Sequence, residues 1–152
     1  MGAAFFYHLT EKPLEATLPV LLGKALQAGW RIEVRGTDEA SLNRIDTQLW
    51  QGDGFLPHGV AGGPHDADQP VLLTTGKGGN DAACVMSIDG AEVAADEVTA
   101  LERVCILFNA ADPAAVETAR GQWRTLTEAG IAAQYWAEEG GRWMKKAESD
   151  AA

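Results

Sequence analysis

Positive charge is scarce in this sequence: 12 Lys and Arg stand against 22 Asp and Glu in 152 residues, for a net charge of −10. Duplex nucleic acid is held by clustered Lys and Arg that neutralise phosphate, so direct duplex DNA binding is not expected of this chain. Cysteine is scarcer still. Cys84 and Cys105 sit inside the apolar stretches Ala83–Met86 and Val104–Phe108, where a free thiol behaves as a small hydrophobe. Buried, reduced thiols and a cytoplasmic location are the simplest expectation, because disulfides belong to oxidising compartments. The three histidines, His8, His58 and His65, lack ligand spacing, and neither cysteine has a second one two residues away, so no metal site is expected. No apolar run approaches the roughly 18 residues needed to cross a bilayer, and no membrane association is expected. Met1–His8 has neither the basic start nor the long apolar segment of a signal peptide.

Catalytic machinery is also missing. A dinucleotide fingerprint would place Gly-x-Gly-x-x-Gly after the first strand, but that strand runs into Thr10-Glu11-Lys12-Pro13. In Gly76-Lys-Gly-Gly-Asn80 the lysine precedes the glycine pair and a strand follows, which reads as a hairpin turn and not as a phosphate loop. No Gly-x-Ser-x-Gly elbow exists, and only Ser41, Ser87 and Ser149 are available as serine nucleophiles. No catalytic residue and no cofactor is therefore assigned. The alternative is a small α/β enzyme or nucleotide-binding domain, with a site beyond the carboxyl ends of the strands formed by His8, Lys77 and Asn109.

What is present alternates between strand and helix signals. Ala4–Leu9 reads as a buried first strand, and Leu18, Leu21, Leu22, Ala25 and Leu26 fall on one helical face closed by Gly29. Pro19 leaves two possibilities: a helix beginning near Thr17, or a longer one from Pro13 interrupted at Pro19. Arg31–Arg35 alternates as a second strand, and Asp38 caps a helix whose Leu42, Ile45 and Leu49 form a stripe up to Trp50. Gln69–Thr75, Ala83–Ile88 and Val104–Phe108 are further buried strands, with one or two helical turns at Asp96–Glu102. A long helix from Pro113 to Ala129 has Asp112 as its cap and Gly130 after its end; Ile131–Trp136 closes the set. The spacing predicts a single three-layer α/β domain over 1–146, with a mostly parallel, mixed sheet, helices on both faces and no dinucleotide fingerprint. A frayed tail is expected over 147–152.

Two stretches point to contacts with other molecules. Leu49–Gly59 is punctuated by Gly52, Gly54, Pro57 and Gly59, a pattern of turn and loop, yet it carries the large aromatics Trp50 and Phe55. On the long helix, Val116, Ala119, Trp123 and Leu126 form an apolar stripe bordered by Arg120 and Arg124. Trp123 is then either plain core or a half-exposed indole beside two guanidinium groups, a site suited to a ligand with an apolar side chain and a carboxylate. Charge is distributed to match. Residues 37–102 hold twelve acids against Arg44 and Lys77, whereas residues 103–146 hold six bases against five acids. An anionic partner must therefore meet a local patch in the C-terminal third.

Leu49-Trp50, Phe55-Leu-Pro-His-Gly59, Gln69-Pro-Val-Leu-Leu73, Val104-Cys-Ile-Leu-Phe-Asn109, Ala119-Arg-x-x-Trp-Arg-x-Leu-x-x-Ala-Gly130 and Tyr135-Trp136, in that order, resemble the chi subunit family of bacterial DNA polymerase III. The resemblance spans nearly the whole chain. It implies a non-catalytic accessory subunit of the replicative clamp-loader assembly that binds the acidic C-terminal tail of single-stranded DNA-binding protein, a segment ending in an aromatic residue and a free carboxylate. By motif, tail binding is carried onto Arg120, Trp123 and Arg124. A second surface including Trp50 and Phe55 is implied for the psi subunit or another clamp-loader component. Where the motif often has tyrosine this chain has Trp123, which keeps the aromatic face and loses the hydroxyl.

Overall fold

The computed structural model describes residues 2–52, 56–76 and 79–150. In chain order the elements are β1 (Ala3–Leu9), α1 (Leu14–Gln27), β2 (Ile32–Arg35), α2 (Glu39–Gln51), β3 (Gly59–Val60), a 3₁₀ turn at Asp66–Asp68, β4 (Val71–Thr74), β5 (Cys84–Ser87), α3 (Ala95–Ala100), β6 (Arg103–Asn109), α4 (Pro113–Glu128), β7 (Ala133–Glu139) and β8 (Arg142–Ser149). The eight strands form one sheet in the order β3-β4-β2-β5-β6-β1-β7-β8. Every neighbouring pair is parallel except β7 and β8. The fold is a mixed α/β sheet, as the alternation of signals predicts.

Side-chain alternation along the central strands divides the core in two. Tyr7 and Leu9 of β1 join Cys105 and Leu107 of β6 in a cluster with Leu18 and Leu22 of α1 and Leu42, Ile45 and Leu49 of α2. Ala4 and Phe6 join Val104, Ile106 and Phe108 in a second cluster with Val98 of α3 and Ala119 and Leu126 of α4. The sheet thus has α1 and α2 on one face and α3 and α4 on the other. Cys84 and Cys105 are free and buried. A hydrogen bond donated by the Cys105 thiol to Cys84, with burial added, pushes the Cys105 pKa well above its ordinary value and keeps it protonated.

Helix starts follow their capping chemistry. Asp38 accepts the Ala40 N–H, and Asp112 accepts those of Ala114 and Ala115. Of the two possibilities for α1 the longer helix is found: Pro13 is the cap residue, its carbonyl accepts from Ala16 and Thr17, and Pro19 lies inside. Without an N–H at Pro19, the Glu15 carbonyl has no i+4 donor.

Several expectations are corrected. Helix α2 runs to Gln51, so Trp50 stands on its last turn and not on a loop. Gly76–Asn80 cannot turn a hairpin, because β4 and β5 lie on opposite sides of β2 and are both parallel to it. The chain instead crosses back over β2, and the buried Asn80 amide anchors it by donating to the Ile32 and Gln69 carbonyls at 3.1 and 3.0 Å. The last parallel strand begins at Ala133 and continues to Glu139, and an eighth strand follows it. Gly140 and Gly141, at φ 58° and 76°, turn that hairpin with the positive φ pair that two-residue turns require. β8 reaches Ser149, so the sheet extends past the boundary at residue 146 into the stretch read as frayed tail.

One polar staple sits inside the acidic half. Arg35, 7% exposed on β2, contacts Glu33 at 2.7 Å and Glu97 of α3 at 2.8 Å, and donates to the Glu92 carbonyl at 3.1 Å. Replacing Arg35 by Met removes the cation opposite a carboxylate that is 6% exposed, and should cost about 3–5 kcal/mol. Adding Glu33→Leu should recover part of that loss. Urea denaturation at constant m reads both; an Arg35→Met cost within about 0.5 kcal/mol, typical of surface changes, would refute the staple.

Candidate binding surface on helix α4

Helix α4 crosses the sheet above β6, β1 and β7, with Ala119 and Leu126 buried beneath it. Arg120, Trp123 and Arg124 are spaced i, i+3 and i+4, which brings them together on one flank of the helix. Both arginines are exposed and Trp123 is half-buried. The indole packs edge-to-face on Phe6 of β1 at 5.3 Å and on Tyr135 of β7 at 6.1 Å. Tyr135 in turn meets His8 at 5.7 Å and Phe108 at 5.9 Å, and His8 stacks on Phe108 at 5.1 Å with the rings 15° apart. Trp123 is therefore both core and surface: it packs into an aromatic cluster and keeps part of its area open to solvent.

Arg120 supplies the electrostatics. Burial holds the His8 imidazole below its ordinary pKa and the Arg120 charge lowers it further. Burial raises the Tyr135 phenol against a smaller lowering pull from the same guanidinium. Arg120 thus lies close enough to both rings to act on them. Among the described residues no carboxylate is within ion-pair distance of Arg120 or Arg124. Two uncompensated guanidinium groups beside half-open aromatic rings can hold an anion and an apolar side chain together.

Helical spacing singles out the three α4 residues but gives no sign of the rings beneath them. Phe6, His8, Phe108 and Tyr135 come from three strands, and their meeting depends on the register Phe6 opposite Tyr135 and His8 opposite Phe108. Nothing in the spacing of one segment encodes that register.

The second surface is on the other face of the sheet. Trp50 is 53% exposed and its ring lies 4.2 Å from that of the buried His58. His58 Nδ1 is 2.6 Å from the Leu56 carbonyl, and Nε2 is 3.1 Å from the Asp46 carboxylate and 3.2 Å from the Asp46 carbonyl. The imidazole ties the chain after α2 back to the helix and props the indole outward. Phe55 lies outside the described residues.

The alternative site is partly realised. The chain leaves β1 toward one face and β6 toward the other, which opens a crevice of about 710 Å3 at the carboxyl ends, lined by Thr10, Glu11, Asp89, Asn109 and Asp112. Asn109 borders it, but its side chain accepts the Ala111 N–H. His8 is not on the lining and is stacked on Phe108, so His8 and Asn109 do not share this crevice; Lys77 lies outside the described residues. Three of its carboxylates are engaged: Asp112 caps α4, Glu11 accepts the Gly141 N–H, and Asp89 accepts the Ser41 hydroxyl. Among the described residues no group of three or more His, Cys, Asp or Glu could hold a metal ion, and no helix is long and apolar enough to cross a membrane.

The chain is a mixed α/β domain with an arginine-flanked aromatic patch on one face of its sheet and an exposed, propped indole on the other. The family model for the DNA polymerase III chi subunit, HolC, matches residues 1–134, and the chain belongs to that family. No curated protein matches the chain. The family is an accessory subunit of the replicative polymerase, which gives this chain a role in DNA replication within the polymerase III assembly.

The Arg120 charge acting on His8 can be measured directly. Arg120→Ala should raise the His8 pKa toward its ordinary value, because the imidazolium loses a like charge, and an NMR titration of the imidazole Cε1–H signal reads the shift. An unchanged midpoint would separate the two groups.

Proposed function

We propose that this protein is a non-catalytic link in the cytoplasmic replication machinery, joining the clamp-loader complex to single-stranded DNA-binding protein by holding that protein's acidic C-terminal tail. The observation that carries the reading is the half-buried Trp123 between two exposed guanidinium groups that lack ion-pair partners among the described residues. The tail's terminal carboxylate pairs with Arg120, its last aromatic ring lies against Trp123 and the exposed edge of Tyr135, and its preceding acids are met by Arg124. The acidic remainder of the molecule repels such a tail at long range, so the local contacts must outweigh that field, and attraction at the patch falls with salt.

Trp50 is proposed to dock the psi subunit or another clamp-loader component, with Phe55 as its neighbour in sequence. Its exposure and its tilted ring contact with His58 support this role, because an indole held rigidly in water suits a protein contact better than a mobile one. Because Trp50 lies on the face away from α4, the two surfaces can be occupied together.

A fluorescent peptide of the tail, titrated into the protein, tests the first surface. Arg120→Ala should weaken binding by about 1.5–3 kcal/mol, tenfold or more, and amidating the peptide's terminal carboxylate should weaken wild-type binding comparably. Equal affinity in all three titrations would sink the proposal. For the second surface, Trp50→Ala should abolish capture of clamp-loader components and leave peptide affinity unchanged; a loss of both would indicate unfolding.

A further inference from the structure

On the face away from α4, helix α1 and the β7–β8 hairpin stand apart and leave a trough of about 590 Å3 over β1 and β6. Phe5 and Tyr7 of β1 form the floor, and Trp136 and Trp143 form the wall opposite α1. Tyr7 and Trp143 meet edge-to-face at 5.2 Å, which fixes that wall to the floor. The volume falls in the range of small-molecule sites, and the lining is mainly apolar and aromatic. Val20 of α1, 56% exposed, leaves the rim apolar as well.

Two polar groups in this trough stand out. The Arg103 guanidinium lies 4.2 Å above the Phe5 ring and 5.3 Å from that of Trp30, and among the described residues no carboxylate is within ion-pair distance of it. Aromatic faces hold a cation in place without neutralising it. The Thr17 hydroxyl, on a trough-lining residue 5% exposed, has no hydrogen-bond partner among the described residues, not even the helix carbonyl four residues back. The one trough acid that is buried, Glu138, is already committed to the Glu11 and Lys12 N–H groups. Lys12 and Lys24, which also line it, bring its positive charges to three in a chain of net charge −10.

We propose that this trough is a binding site for a small apolar carboxylate. Its charged group pairs with Arg103, its hydrocarbon part lies along Phe5, Tyr7, Trp136 and Trp143, and the Thr17 hydroxyl gains an acceptor. The trough lies on the sheet face opposite α4, so the site is separate from the patch there, and its wall of Trp136 and Trp143 lies beyond residue 134, where the match to the family model ends.

Dodecanoate below its micellar concentration is the probe, followed by intrinsic tryptophan fluorescence, with dodecanol as its uncharged counterpart. Wild type should bind dodecanoate saturably. Arg103→Met, which keeps the apolar stem, should weaken dodecanoate about tenfold or more and leave dodecanol little changed. Ala16→Trp, placed on an exposed trough-lining position of α1 where folding is tolerant, should block both. Absence of saturable binding to the wild type, or equal weakening of acid and alcohol by Arg103→Met, would overturn the site. So would a wild-type dimer that Ala16→Trp converts to monomer, since the trough would then be an interface between copies of this chain.

Discussion

β1 is hydrogen-bonded on both sides, to β6 and to β7, so its side chains have only two directions available, and both are interior. Ala4, Phe6 and His8 go to the α4 face, while Phe5, Tyr7 and Leu9 go to the α1 face. A shift of one residue in its pairing would exchange the two sets and disrupt both cores at once. The α4 patch is built on Phe6 and His8, and the trough on Phe5 and Tyr7, so both inherit their geometry from this one strand. The two surfaces are distinct because a single layer of backbone separates them.

Most of the fold was legible because its signals are local. Asp38 and Asp112 announce helix starts by a hydrogen bond two residues long, and the stripes Leu42-Ile45-Leu49 and Ala119-Leu126 announce which side is buried. The errors arose where the deciding contact is distant in sequence. Gly76–Asn80 has the composition of a hairpin, and only the insertion of β2 between β4 and β5 excludes one. The turn at Gly140-Gly141 is a local signal too, but Arg142–Ser149 after it is too polar to resemble a buried strand; it is an edge strand, with most of its side chains in water.

The candidate site divides in the same way. Arg120, Trp123 and Arg124 lie on one helix, and helical periodicity alone unites them. The support for Trp123 is assembled by the sheet, from rings contributed by β1, β6 and β7. His58 ties the chain after α2 to Leu56 and Asp46, and its position under Trp50 is evident only in the folded chain. Arg103 drew no notice in the sequence, because an arginine at the start of a strand is ordinary until Phe5 and Trp30 are found beneath it.

The ends of the sheet are unequal in a way that matters for a chain working among other proteins. An open sheet has two unpaired rims, each able to recruit a stray strand and begin an aggregate. At one end β3 is two residues long and offers almost no ladder to copy. At the other, β8 is eight residues long, but it carries Arg142, Lys145, Lys146 and Glu148, and a register irregularity at Tyr135/Trp136 bends its pairing with β7. Brevity guards one rim, and charge and curvature guard the other. The molecule can therefore expose aromatic surface for recognition while its backbone stays a poor template for misassembly.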